Sequence, residues 1–137
     1  MPRKRRSVPR RENPYRVPAD EIHPISVSQP GDMLGIFREL AAERREREDQ
    51  YVPVRQLYDD AVLMLLRDLE GKAPIRFVPT PARGNVRRTV WLREAVMKKV
   101  SNATSQHNVH ASTFVLTAFL RYLARRGITF DGFPSGL

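Results

Sequence analysis

Cysteine is absent from the 137 residues. That excludes a disulfide framework, a thiolate nucleophile and a cysteine-based zinc site. No uninterrupted apolar stretch approaches the ~18 residues of a membrane span. The basic N-terminus is not followed by the hydrophobic stretch of a secretory signal. Histidine is scarce: His107 and His110 lie three apart in a predicted turn without a third ligand, and His23 is remote in sequence, so no metal site is expected. Serine has no GxSxG elbow. The EGK at 70–72 lacks the upstream glycine of a P-loop, because Leu66 occupies that place. Asp59 and Asp60, adjacent on a predicted helix, diverge and read as a solvated face. No enzyme and no cofactor are expected, and the reading is of a soluble intracellular protein.

What the chain has in excess is positive charge, 24 Lys and Arg against 15 Asp and Glu. Its distribution is uneven. Residues 1–19 hold seven basic groups (Arg3, Lys4, Arg5, Arg6, Arg10, Arg11 and Arg16) and one acid, Glu12. Residues 20–72 are net acidic, and residues 73–137 carry ten basic groups against two acids. A partner rich in phosphate is the natural complement. The first segment joins like charges to four prolines and few large apolar residues, too little to bury for stable order. We read 1–22 as a disordered basic arm that follows phosphates. GKAPIRFVPTPARGN (71–85) reads as an extended connector, and 130–137 as a flexible tail.

The chain also repeats itself. Shifted by 57 positions, YVPVRQLYDDAVLMLLRDL (51–69) falls on NVHASTFVLTAFLRYLARR (108–126) without a gap. Val52 meets Val109, Leu57 meets Phe114, Ala61 meets Ala118, Val62 meets Phe119, Leu63 meets Leu120 and Leu66 meets Leu123. Each copy follows a shorter helical pattern: Met33, Leu34, Ile36, Phe37, Leu40 and Ala41 in the first half, with Asp32 as N-cap, and Val96, Met97, Val100 and Ala103 or Thr104 in the second. Each of those follows an alternating run, PISVSQP and VRRTVWLRE, of the period that marks a half-buried strand. Both halves therefore read strand, helix, turn, helix.

A lone strand cannot satisfy its own backbone groups, and the simplest partner is the equivalent strand of the other half. Segment 112–126 is apolar almost all round, so it must be buried on several sides. It suits the centre of a two-fold arrangement better than a recognition helix, whose exposed face must be polar or basic. Alternation turns Arg87, Thr89 and Trp91 outward on one strand and Ser26 and Ser28 on the other, with Val90 and Leu92 inward. A register slip of one would expose Arg88 and Val90 instead. Trp91 could equally fold back into the core.

In RRTVWL, REAVMKKVSNATSQ, HNVHA and STFVLTAFLRYLARRG (87–127), the chain resembles the ribbon-helix-helix DNA-binding family. Asn108 stands where that family often has glycine, and Trp91 where it has a small or polar reader. The resemblance covers about residues 24–127. It implies a mainly α fold with a two-stranded antiparallel ribbon, two β-α-α units (24–70 and 86–127) fused in one chain as a pseudo-dimer within a domain at 23–129. Two units in one polypeptide look like the single-chain version of the fold that serves conjugative or T-DNA-type DNA transfer at an origin or border.

The resemblance implies a ribbon in the major groove of double-stranded DNA, with Arg87, Thr89, Trp91, Ser26 and Ser28 reading bases. Phosphates would meet the free N–H groups that open the second helices, near Arg55 and near Ser112 and Thr113, with Ser112 as N-cap. Arg93 and the arm residues Arg3, Lys4, Arg5 and Arg6 would add phosphate contacts, and Arg83, Lys98 and Lys99 nearby charge. Alternatives are a plasmid-type repressor (antitoxin, partition or copy control) and, in another class, a protein adaptor whose acidic stretch 39–60 binds a relaxase or other transfer protein. The chain is expected to be a monomer that can associate on DNA.

Overall fold

Nine residues that alternate aliphatic and small polar side chains, Ile22–Pro30, form strand β1, and Asn85–Arg93 form β2. In the computed structural model, which describes residues 13–79 and 85–133, the two strands pair antiparallel as one two-stranded sheet. Ile25 lies opposite Val90, Ser26 opposite Thr89 and Ser28 opposite Arg87. Val27, Val90 and Leu92 are buried on the inner side, which fixes the register, because a slip of one would turn every one of them to solvent.

Among the described residues, four α-helices join the strands in the order β-α-α-β-α-α: α1 at Met33–Glu48, α2 at Val54–Glu70, α3 at Glu94–His107 and α4 at Ala111–Ala124. α1 buries Met33, Leu34, Phe37 and Ala41, one stripe at helical spacing. Asp32 stands at its N-cap as expected but makes no side-chain capping bond. α1 ends on Asp49 and α3 on Asn108, both left-handed at φ 53° and 54°. Asp and Asn adopt that conformation more readily than other non-glycine residues, so both helices stop at the same kind of cap. Ahead of its second helix, the first half is longer at three places. Two residues separate β1 from α1 where none separates β2 from α3; α1 has 16 residues against 14; and five residues join α1 to α2 where three join α3 to α4. This is why the second helices match without a gap while the strands need a different offset.

α2 and α4 pack on each other, α2 also against β2 and α4 against β1, so each second helix supports the strand of the other half. All ten residues from Phe114 to Leu123 of α4 are buried. Phe37 sits at the junction, with its ring centroid 5.2 Å from Tyr58, 4.9 Å from Phe119 and 5.9 Å from Tyr122, distances at which aromatic pairs add to simple burial. Phe77 and Val78 of the connector are seated on this core. Val78 is buried, its N–H donates to Thr117 Oγ1 at 2.9 Å, and Phe77 packs 5.8 Å from Phe114. The buried Thr117 hydroxyl thus has its partner, as buried polar groups require.

Two expectations about the ends are corrected. The segment from Asn13 to Glu21 is not a disordered arm. Tyr15 packs on the core, its hydroxyl bonds Glu48 Oε1 at 2.5 Å and its carbonyl accepts from Arg55 at 2.6 Å. Charge and proline dominate the composition of this stretch, and a single anchoring tyrosine leaves almost no mark on it. Phe130 and Phe133 of the expected tail likewise pack against the core. Arg3, Lys4, Arg5, Arg6, Arg83 and residues 134–137 lie outside the described residues.

Candidate nucleic-acid interface

On the ribbon side turned away from the helices, Pro24, Ser26 and Ser28 stand opposite Trp91, Thr89 and Arg87. Arg87, Thr89 and Trp91 are exposed and the two serines partly so. The structure therefore brings together all five expected base readers on one face. Trp91 is 48% exposed, so it is no part of the core. Arg87 Nη1 comes within 3.5 Å of Ser28 Oγ, a loose contact that leaves its guanidinium available. Alternation puts Arg88 on the inner side, yet it is exposed and its Nη1 approaches the Arg87 carbonyl at 3.5 Å. A long arginine stem can leave the inner side and place its charge at the ribbon edge. Binary alternation hides that, and only the length of the side chain signals it.

The phosphate assignments fare differently. α4 begins at Ala111 with His110 as N-cap, so Ser112 is not the capping residue but lies, with Thr113, in the first turn. No side-chain capping bond closes this end, and the first-turn N–H groups have no intrahelical acceptor, which suits an anion. α2 likewise opens on extended Pro53 with no side-chain cap. The Arg55 side chain, however, is buried. It is held by Asp59 Oδ2 and by the Tyr15 carbonyl, so it cannot reach out to a phosphate; what remains there is backbone.

Asp59 is a further correction. It is fully buried, not solvated. Its Oδ1 accepts the Arg93 backbone N–H at 3.1 Å, while Oδ2 meets Arg55 and lies 3.4 Å from Arg93 Nε. Burial pushes its carboxyl above the ordinary range, opposed by the Arg93 N–H and by the charges of Arg55 and Arg93. Adjacent Asp60 does diverge, and it pairs with Arg44 at 2.7 Å. Arg93 keeps a side chain 40% exposed beside Trp91, so it can serve both Asp59 and a phosphate. Lys98 and Lys99 are exposed on α3, Lys98 pairing with Glu94 at 3.3 Å. At the far end of α4, Arg121 is buried against Asp68 at 2.6 Å.

Among the described residues, no group of three His, Cys, Asp or Glu could hold a metal ion, and no helix is long and apolar enough to cross a membrane. No family model, no curated protein and no solved structure matches the chain.

Proposed function

We propose that the chain binds double-stranded DNA in a sequence-specific manner, as a ribbon-helix-helix pseudo-dimer that lays β1 and β2 into the major groove. The observation that carries this reading is the common outward face of Arg87, Thr89, Trp91, Ser26 and Ser28. A two-stranded ribbon fits the major groove; Arg87 pairs with guanine O6 and N7, and Thr89 and the serines donate or accept at neighbouring base edges. Uncapped helix starts at Ala111 and Val54 supply N–H groups for flanking phosphates. The excess of basic residues supplies the salt-dependent part of the affinity.

The two strands differ at every outward position, so the site they read is asymmetric. Such a site belongs to a directional process, as at a transfer origin or border, where a homodimeric repressor would read a palindrome. We therefore place the protein as an accessory of conjugative or T-DNA-type DNA transfer. The test is binding to a selected duplex by anisotropy, with wild type and an Arg87→Ala, Thr89→Ala variant whose circular dichroism matches. A weakening of about 1–3 kcal/mol per base contact is expected, with relaxed sequence preference. Unchanged affinity and preference would overturn the reading.

A further inference from the structure

The two first helices of the halves end alike but line different grooves. Aligned on their left-handed caps, Asp49 and Asn108, α1 places Arg44 where α3 places Ala103. Beside α1, the Arg44 guanidinium stands on the wall of a groove that also carries Glu43, Glu48 and Asp60, and it is bonded to Asp60, Glu48 and Tyr15 at 2.7, 2.9 and 3.1 Å. Beside α3 nothing equivalent stands. An open groove runs between α3 and the last turns of α2, floored by Leu63, Leu66, Leu69 and Ala103. The three leucines are only partly buried, so the chain leaves them facing an unfilled trough. The rim is basic: Arg67, Lys72 and Lys99 border it together with His107, against the single acid Glu70.

An apolar floor at helical spacing with a cationic rim selects its occupant. A row of leucines buries the apolar stripe of an incoming helix, and lysines and arginine on both walls favour carboxylates on its flanks and reject a basic segment. The basic residues at the chain's own N-terminus are excluded by the same charge. The far end of the groove also lies away from the ribbon. Arg55 and Asp59, which meet the strand end, lie in the first turns of α2, and Leu69 is about 15 Å further along the helix at 1.5 Å per residue. We propose that the α2–α3 groove is a docking site for an acidic amphipathic helix of a partner protein, open while the ribbon engages its own ligand.

The proposal does not depend on DNA binding and is tested without DNA. The probe is a fluorescein-labelled helical peptide of about 18 residues, with leucine at i, i+3, i+4 and i+7 and glutamate on the flanks. A lysine-flanked counterpart and a shuffled peptide of the same composition are the controls. Micromolar binding of the acidic peptide to the full chain is expected, with little for either control. Ala103→Arg, which places in this groove the side chain found in the other, is expected to weaken binding at least tenfold. Because that position is buried, the exposed pair Arg67→Glu and Lys99→Glu provides a second reading, again at least tenfold weaker and with unchanged thermal unfolding. Absence of binding, equal binding of the controls, or indifference to both sets of variants overturns the proposal. So does concentration-dependent self-association, by sedimentation, that Ala103→Arg abolishes, since the occupant would then be a second copy.

Discussion

The Asp59 carboxylate accepts the backbone N–H of Arg93 at 3.1 Å while its other oxygen holds Arg55. One buried side chain thus ties the second helix of the first half to the point where β2 turns into α3. At the position equivalent by the 57-residue shift stands Leu116, buried and apolar. The tie exists on one side of the molecule only.

Asp59→Leu leaves the Arg55 charge buried without its carboxylate, and breaking such a pair costs about 3–5 kcal/mol. Replacing both members, Asp59→Leu with Arg55→Met, removes the unpaired charge and is expected to be much less harmful than the sum of the single changes. Urea unfolding of the four proteins in the cycle measures this. If the single and double variants are equally unstable, the pair is not the cause.

Asp68 is held by Arg121 and Arg125 at 2.6 and 2.7 Å. Burial, the largest single influence, would raise its carboxyl; the hydrogen bonds and charges of the two arginines together outweigh it, so the group lies below the ordinary carboxylate range. The unfolded chain then binds the proton first as pH falls. The stabilisation is full above the ordinary value of about 3.9 and is lost as pH drops through the lowered one. Asp68→Asn is expected to flatten the acid limb of a Tm–pH curve and to lower Tm at neutral pH. An unchanged acid limb would count against the assignment.

Trp91 is the single tryptophan of the chain and is exposed on the ribbon. Its emission is therefore a direct report on that face. Titration with the preferred duplex is expected to quench or blue-shift the emission as the indole leaves water. Trp91→Ala is expected to leave stability within about 0.5 kcal/mol, as for an exposed site, while weakening binding. A spectrum indifferent to saturating duplex would remove Trp91 from the contact face.

The strand–helix–helix order and the outward side of the ribbon were legible because each rests on periodicity, and burial enforces periodicity; the pairing of the strands followed from the backbone groups that a lone strand leaves unmet. Val90 and Leu92 could only point one way. The sequence could not show that Tyr15 reaches across to Glu48 and Arg55, since such contacts join residues 33 and 40 positions apart with no local pattern to mark them. For the same reason Asp59 looks solvated in the sequence: adjacent acids on a helix do diverge, but its burial depends on Arg93 arriving from the other half. Ser112 looks like a cap because serine favours that role; the helix starts at Ala111, two residues earlier than that role allows.

The anchoring of Tyr15 also decides how the basic N-terminus should be probed. Removing residues 1–19 would take away the Arg55 and Arg44 partner along with the charge. Neutralising Arg3, Lys4, Arg5 and Arg6 to alanine leaves Tyr15 in place. If these four side chains lie on phosphates, the slope of log affinity against log salt falls by about 0.9 for each phosphate that is no longer neutralised, so by roughly 3 to 4 in all. Thermal unfolding of the free protein is expected to stay unchanged. A salt slope equal to that of the wild type would make the four cations bystanders and leave the phosphates to the helix starts and Arg93.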